Sequence, residues 1–205
     1  MPSFWISAFL WIIDKLMQHL RDLKIDSNTA LFLDRDGVIN KRLPGDYVKS
    51  WEAFHFLPGV PEAFRIFHRY FLRIIIVTNQ QGIGKGLMTE TALQNIHHNM
   101  QDVITQNGGR VDRIYHCPDL ASTPGSCRKP SPAMALQAQR DFPEIALHNA
   151  IMAGDTESDI AFARNSSMMA VLVSPQTFEV KNKGMQPDIV VKDLLSFALK
   201  IQEAN

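Results

Sequence analysis

The sequence predicts an α/β domain with a mainly parallel sheet and helices on both faces, on three observations. Short apolar runs rich in β-branched residues alternate with longer segments of helical period between Ala30 and Val173. One run, Ile74-Ile75-Ile76-Val77, is apolar at every position, which suits a strand covered on both sides. Polar residues gather just beyond these runs, where open parallel sheets place their ligands.

A chain of 205 residues suits one domain with small additions. Its 45% of hydrophobic residues is enough to build a sizeable core. Twenty-one Lys and Arg balance 21 Asp and Glu, so the basic footprint of a nucleic-acid binder is missing and no nucleic-acid partner is expected. Two cysteines, Cys117 and Cys127, are too few for a disulfide framework. Read as free thiols, they place the chain in a reducing compartment, the cytoplasm.

Residues 1–28 stand apart as an N-terminal apolar, amphipathic helix. Phe4 to Ile13 is almost wholly apolar but falls short of the about 20 residues a membrane span needs. It lacks the positive start and cleavage site of a signal peptide. Leu16, Met17, Leu20 and Leu23 then share one helical face. The opposite face mixes Lys15, Arg21 and Lys24 with Asp14 and Asp22, so membrane contact is not expected. The expected role is packing on its own domain or self-association with a sister subunit.

Asp26-Ser27-Asn28 is turn chemistry, and the main domain spans 29–205. Ala30 to Leu33 is the first strand, followed by a polar loop with interspersed aromatics from Lys41 to Phe56. Pro58-Gly59-Val60-Pro61 opens a helix whose apolar face carries Ala63, Phe64, Phe67 and Phe71. Ile74 to Val77 is the second strand. A glycine-rich turn, Gln80 to Leu87, leads to a helix from Thr89 and Glu90 to Gly108-Gly109. On that helix His97 and His98 read as part of a solvated face. Arg113 to His116 is the third strand, and Ser131-Pro132 opens a helix to about Arg140. Ala150 to Ala153 is the fourth strand, Thr156 to about Asn165 a helix and Ala170 to Val173 the fifth strand. Ile189 to Val191 adds a short strand before a final amphipathic helix through Leu194, Leu195, Phe197, Ala198 and Ile201.

The strand ends carry the chemistry. Leu31-Phe32-Leu33 stops at Asp34-Arg35-Asp36-Gly37. The second strand ends in Thr78-Asn79-Gln80 and the fourth in Gly154-Asp155, with Asp159 one helical turn on. Arg128-Lys129-Pro130 stands just before the helix that Ser131 opens. Each feature alone is weak; their order and placement together are not. A carboxylate can attack phosphorus and form an aspartyl phosphate. Its charge repels the phosphate unless a cation bridges them, and Mg2+ does so using one or two carboxylates. Asp34 and Asp155 suit that role. Asp36 can protonate the leaving oxygen and then deprotonate water. Thr78, Asn79 and Lys129 can hold the non-bridging oxygens. Tyr47 and Trp51 are candidates to shape a sugar pocket, and Lys85 to meet a second phosphate.

On Asp34-Arg35-Asp36-Gly37, Thr78, Lys129 and Gly154-Asp155-Thr156-Glu157-Ser158-Asp159, the chain resembles the haloacid dehalogenase (HAD) superfamily of phosphohydrolases. The resemblance covers about Ala30 to Val173. Thr78-Asn79-Gln80-Gln81-Gly82-Ile83-Gly84-Lys85-Gly86 and Cys127-Arg128-Lys129-Pro130 narrow it to the branch holding D-glycero-D-manno-heptose 1,7-bisphosphate phosphatases and histidinol-phosphatase domains. It implies a Rossmann-like fold without a large cap domain. It also implies Asp34 as nucleophile, Asp36 as acid and base, and Mg2+ on Asp34, the Asp36 carbonyl and Asp155. Phosphate contacts would come from Thr78, Asn79 and Lys129, with Arg128 facing the substrate.

One loop departs from the branch. Its members carry zinc on Cys-x-His and Cys-x-Cys; here Asp119 and Gly125 replace two ligands, leaving Cys117 and Cys127 in a degenerate loop. Structural zinc wants four Cys or His ligands, so Zn2+ is not expected. The expected activity is Mg-dependent hydrolysis of a small phosphorylated sugar, with heptose 1,7-bisphosphate the favoured substrate. The alternatives are histidinol-phosphate hydrolysis or a non-catalytic phosphate-binding or assembly module.

Overall fold

The computed structural model describes residues 25–175 and 186–205. The N-terminal helix expected over 1–28 lies, up to residue 24, outside the described residues.

Six parallel strands form one sheet: β1 (Ala30–Leu33), β2 (Arg73–Asn79), β3 (Arg113–Cys117), β4 (Ala150–Gly154), β5 (Met169–Val173) and β6 (Ile189–Val191). Their order is β3-β2-β1-β4-β5-β6. The chain winds outward from β1 to β3, then returns to lay β4 on the other side of β1. The strand order therefore reverses between β1 and β4, the position where doubly wound sheets open a crevice at their carboxyl ends.

Among the described residues the α-helices are α1 (Val60–Tyr70), the single turn α2 (Gln81–Gly84), α3 (Glu90–Gln106), α4 (Ala133–Asp141), α5 (Glu157–Asn165) and α6 (Leu194–Ala204). Period-two alternation sorts the strand side chains between two cores. Leu31, Leu33, Ile74, Ile76, Ile151 and Ala153 face α1, α3 and α6. Ala30, Phe32, Ile75, Val77, Ala150 and Met152 face α4 and α5. This is why the Ile74-to-Val77 run is apolar throughout. No helix of the described residues is long and apolar enough to cross a membrane.

Two expectations are sharpened. β2 continues past Val77 because Thr78 and Asn79 pair in register with His116 and Cys117 of β3, so polar side chains are carried on a regular strand. The glycine-rich turn contains a helical turn, α2. The loop from Lys41 to Phe56 is tied at its base, where Lys41 N donates to His55 O (2.8 Å) and Leu57 N to Ile39 O (2.9 Å). Trp51 stacks on Phe54 with ring centroids 5.1 Å apart, and Phe54 meets Phe56 edge-on. These aromatics anchor the loop on the α1 side of the sheet, so Trp51 packs there and not in a pocket.

Candidate active site

β1 ends at Leu33, and Asp34 N still donates to Ala153 O of β4 (3.0 Å), which fixes the Asp34 side chain at the crevice between them. The chain then turns back at once. Ile39 N and Asn40 N both donate to Arg35 O, and Gly37 N donates to Asn40 O (2.7 Å). Gly37 adopts φ +100°, and a Cβ on it would fall 2.0 Å from Asp155 Oδ2. Only glycine lets the β1 turn lie directly against the β4 carboxylate.

Lys129, 2% exposed, is the electrostatic centre. Its ammonium forms ion pairs with Asp34 Oδ1 (2.9 Å) and Asp159 Oδ1 (2.6 Å) and donates to Val77 O (2.9 Å). Burial pushes the Lys129 pKa down, but the charges of Asp159 and Asp34 outweigh it and raise the value overall. Asp159 is fully buried; its other oxygen accepts from Thr156 N (3.0 Å) and Thr156 Oγ1 (2.6 Å), capping α5. A Cβ on Gly154 would meet Asp159 Cγ at 2.4 Å, so the strand end must be bare for Asp159 to reach Lys129.

Asp34 is pushed up to about 7, by burial first, against the opposing pull of Lys129 and with the charges of Asp159, Asp155 and Asp36 adding to the rise. Asp36 behaves oppositely. Burial raises it, yet Arg35 and the bonds from Asn40 and Gln80 hold it below the ordinary carboxylate value. Arg35 Nη2 reaches both Asp36 oxygens (2.9 and 2.8 Å), Asn40 Nδ2 donates to Oδ1 (2.9 Å) and Gln80 Nε2 to Oδ2 (2.8 Å). Asp36 therefore rests as a carboxylate, the base form. Gln80 Nε2 also donates to Thr78 Oγ1 (2.9 Å), so one amide spans the ends of β1 and β2.

The expected residues assemble around a cleft of about 510 Å³ lined by Asp34, Asp36, Thr78, Lys85, Arg128 and Lys129 among others. Asn79 lines it too, but its side chain is spent on the chain after Arg128: Oδ1 accepts from Lys129 N (2.9 Å) and Nδ2 donates to Lys129 O (3.3 Å). Its amide thus positions Lys129. Tyr47 lines the wall, accepts from Gln81 Nε2 (2.9 Å) and lies under Lys85 Nζ, 5.5 Å from its ring centroid.

Two expectations are corrected. Cys117 and Cys127 are not free thiols; they form a disulfide, their Cα atoms 5.6 Å apart. Asp119 Oδ2 accepts from Cys127 N (3.1 Å), so the loop folds back far enough to bring the sulfurs together, outside the cleft. His97 is not on a solvated face: it is 8% exposed, with Nε2 3.2 Å from Arg35 Nη1. Burial and the Arg35 charge lower its pKa to about 3, so it is neutral and accepts from the guanidinium.

Arg42 escaped the sequence reading altogether. Its Nη2 contacts Asp155 Oδ1 (2.8 Å), Asp34 Oδ2 (3.6 Å) and the Asp36 carbonyl oxygen. One cationic nitrogen thus sits on the three oxygens that the resemblance assigns to a metal. Asp34, Asp155 and Asp159 also bring carboxylate oxygens within 4.8 Å of one another. Hard oxygen donors converging on a cationic centre fit a divalent ion such as Mg2+. Lysine at the neighbouring carboxylate oxygens leaves the Asp34 Oδ2 side for it.

Comparison with known proteins places the chain in a family. The family model described as HAD-hydrolase-like matches residues 126–197. A D-glycero-alpha-D-manno-heptose-1,7-bisphosphate 7-phosphatase of Mycobacterium bovis is 35% identical over 86% of this chain and 93% of its own. A D-glycero-beta-D-manno-heptose-1,7-bisphosphate 7-phosphatase of Helicobacter pylori is 33% identical over 74% of this chain and 86% of its own. Among solved structures, the D,D-heptose 1,7-bisphosphate phosphatase of B. bronchiseptica, complexed with magnesium and phosphate, superposes with a TM-score of 0.75. It is 27% identical, over 86% of this chain and 99% of that one. The chain belongs to the HAD-like hydrolases. Within that family, the relatives just described are heptose-bisphosphate phosphatases of both anomeric types.

Proposed function

We propose that this chain is a Mg2+-dependent phosphomonoesterase that removes the 7-phosphate of D-glycero-D-manno-heptose 1,7-bisphosphate. The carrying observation is Asp34: one oxygen is held by the Lys129 ammonium and the other turns toward Asp155, at the floor of a cleft whose walls carry Lys85 and Arg128.

Asp34 attacks phosphorus, the bond to the sugar oxygen breaks, and an aspartyl phosphate forms. Lys129, fixed by Asp159 and Asn79, offsets the growing charge without moving. Thr78 lines the same cleft, its hydroxyl oxygen held by Gln80 Nε2. Mg2+ held by Asp34, the Asp36 carbonyl and Asp155 would offset the repulsion between carboxylate and phosphate. The resting Asp36 is ionised, so it takes up a proton from solvent as the phosphate's charge approaches and raises its pKa, and passes that proton to the leaving oxygen. Having donated it, Asp36 is again a base and takes a proton from the water that opens the aspartyl phosphate.

A bisphosphate needs a second cationic wall, and Lys85 and Arg128 supply one. Histidinol phosphate would need an acceptor for its ammonium. Asp46 lines the cleft, but Lys49 pairs with it at 2.8 Å and Tyr47 N donates to it. The test is phosphate release from both heptose bisphosphate anomers and from histidinol phosphate, with Mg2+ or with chelator. Release from a heptose bisphosphate is expected with Mg2+ only, and none from Asp34→Asn, which keeps the fold. No release from any sugar phosphate, or turnover retained by Asp34→Asn, overturns the reading.

A further inference from the structure

The contact set of Arg42 has a consequence for metal binding. Arg42 begins in the loop beyond β1, yet its Nη2 reaches Asp155 Oδ1, 113 residues away in sequence, together with Asp34 Oδ2 and the Asp36 carbonyl. A guanidinium nitrogen and a divalent ion cannot share those three oxygens. We propose that Arg42 is a tethered cation that occupies the Asp34–Asp36–Asp155 cradle in competition with the divalent metal and swings out when the metal enters. The proposal rests on the reading that this cradle is the metal site.

Three features make the exchange workable. The Arg42 side chain is 47% exposed, so it can leave toward solvent without repacking a core. Its anchor is the polar loop, whereas Asp34 and Asp155 stand on rigid strand ends. Arg42 also leaves the Lys129 side untouched: Asp34 Oδ1 belongs to Lys129 and Oδ2 to Arg42. The carboxylates are thus balanced from two directions by this chain's own cations, one permanent and one exchangeable. A metal binding only the open state has its apparent affinity reduced by the fraction of molecules in that state.

Binding of Mn2+ alone, read by the loss of its free-ion electron paramagnetic resonance signal, tests this without turnover. The proteins are the wild type, Arg42→Met, Arg128→Met and Asp155→Asn. Arg128 lines the same cleft but makes no ion pair with Asp34, Asp36 or Asp155, so its removal reports the effect of deleting a positive charge alone. Arg42→Met is expected to bind Mn2+ about fivefold more tightly than wild type, as for a cradle that Arg42 fills about four-fifths of the time. Arg128→Met should gain clearly less, and Asp155→Asn should lose binding. In chelator, Arg42→Met should also melt below wild type, and saturating Mn2+ should close that gap. Equal gains in Arg42→Met and Arg128→Met, or no gain in Arg42→Met, overturn the proposal while leaving the metal site standing. Absence of Mn2+ binding in both wild type and Arg42→Met overturns the metal site itself.

Discussion

Lys129 lies 2.9 Å from Asp34 and 2.6 Å from Asp159, so one buried ammonium answers two buried carboxylates delivered by β1 and α5. Both acids face the same cation because β1 and β4 are neighbours and α5 follows β4 directly. The arrangement makes Lys129 structural as well as chemical.

Replacing Lys129 by Met removes that answer and leaves two buried carboxylates facing one another. A loss of about 3–5 kcal/mol in unfolding free energy is expected, since breaking a buried pair strands its partners. Protonation relieves the stranded charge, so the deficit should shrink as pH falls. Phosphate release should drop by at least about a hundredfold. Urea titrations at pH 5 and 8 check the first expectation; a deficit that does not shrink at pH 5 contradicts it.

His97 sets a second pH dependence. Its folded pKa of about 3 lies below the value of about 6.5 for an unfolded histidine. Between those values the unfolded chain binds the proton and the folded chain does not. Stability from neutral His97 is therefore complete above pH 6.5 and lost as pH falls toward 3. From pH 8 to pH 5 the loss is about 2 kcal/mol. His97→Gln keeps an acceptor for Arg35 but no titrating ring, so its stability should be flatter across that window. Parallel curves for the two proteins would remove His97 as the source.

The Cys117–Cys127 bond closes a loop with a sequence separation of 10. For a loop of that size, chain entropy gives about 2–3 kcal/mol. Cys127→Ser, or a reductant, should lower stability by that order. Lys129 is held independently through Asn79, whereas Arg128 N depends on Ser126 Oγ within the closed loop (3.0 Å). Loosening should therefore raise KM for a bisphosphate more than it lowers kcat. Steady-state kinetics with and without reductant read the split, and a fall in kcat alone would place the effect elsewhere.

The fold was legible because its signals are local. Apolar runs and helical periods set the strands and helices, and the polar residues after β1, β2 and β4 marked the crevice. Arg42, His97 and the disulfide were not legible, for a shared reason. Each acts through a partner 10 to 113 residues away. Arg42 sits in a loop with no periodicity, and His97 beside His98 looks polar until Arg35 is buried against it. Only the geometry of β1 against α3 and β4, and the fold of the loop after β3 back onto Cys117, reveals those contacts. Asn79 shows the opposite case: its position was readable, but its side chain serves Lys129 and not an open binding face.

Gly37 offers the sharpest test of how closely the site is built. Its φ of +100° already disfavours any side chain, and a Cβ would press within 2.0 Å of Asp155 Oδ2. Gly37→Ala must therefore either unwind the turn after β1 or push Asp155 aside. Holding a residue with a Cβ in the left-handed region costs about 1–2 kcal/mol, so the protein should still fold, with a lowered melting temperature. Displacing Asp155 separates it from Asp34 and from the Asp36 carbonyl, so Mn2+ affinity should fall by more than about tenfold, a loss of about 1.4 kcal/mol. Ser158 also lines the cleft, at the start of α5 and away from that contact, so Ser158→Ala should leave Mn2+ affinity near wild type. A Gly37→Ala protein that melts lower yet binds Mn2+ as tightly as wild type would show that the close approach of Gly37 to Asp155 is not what holds the cradle together.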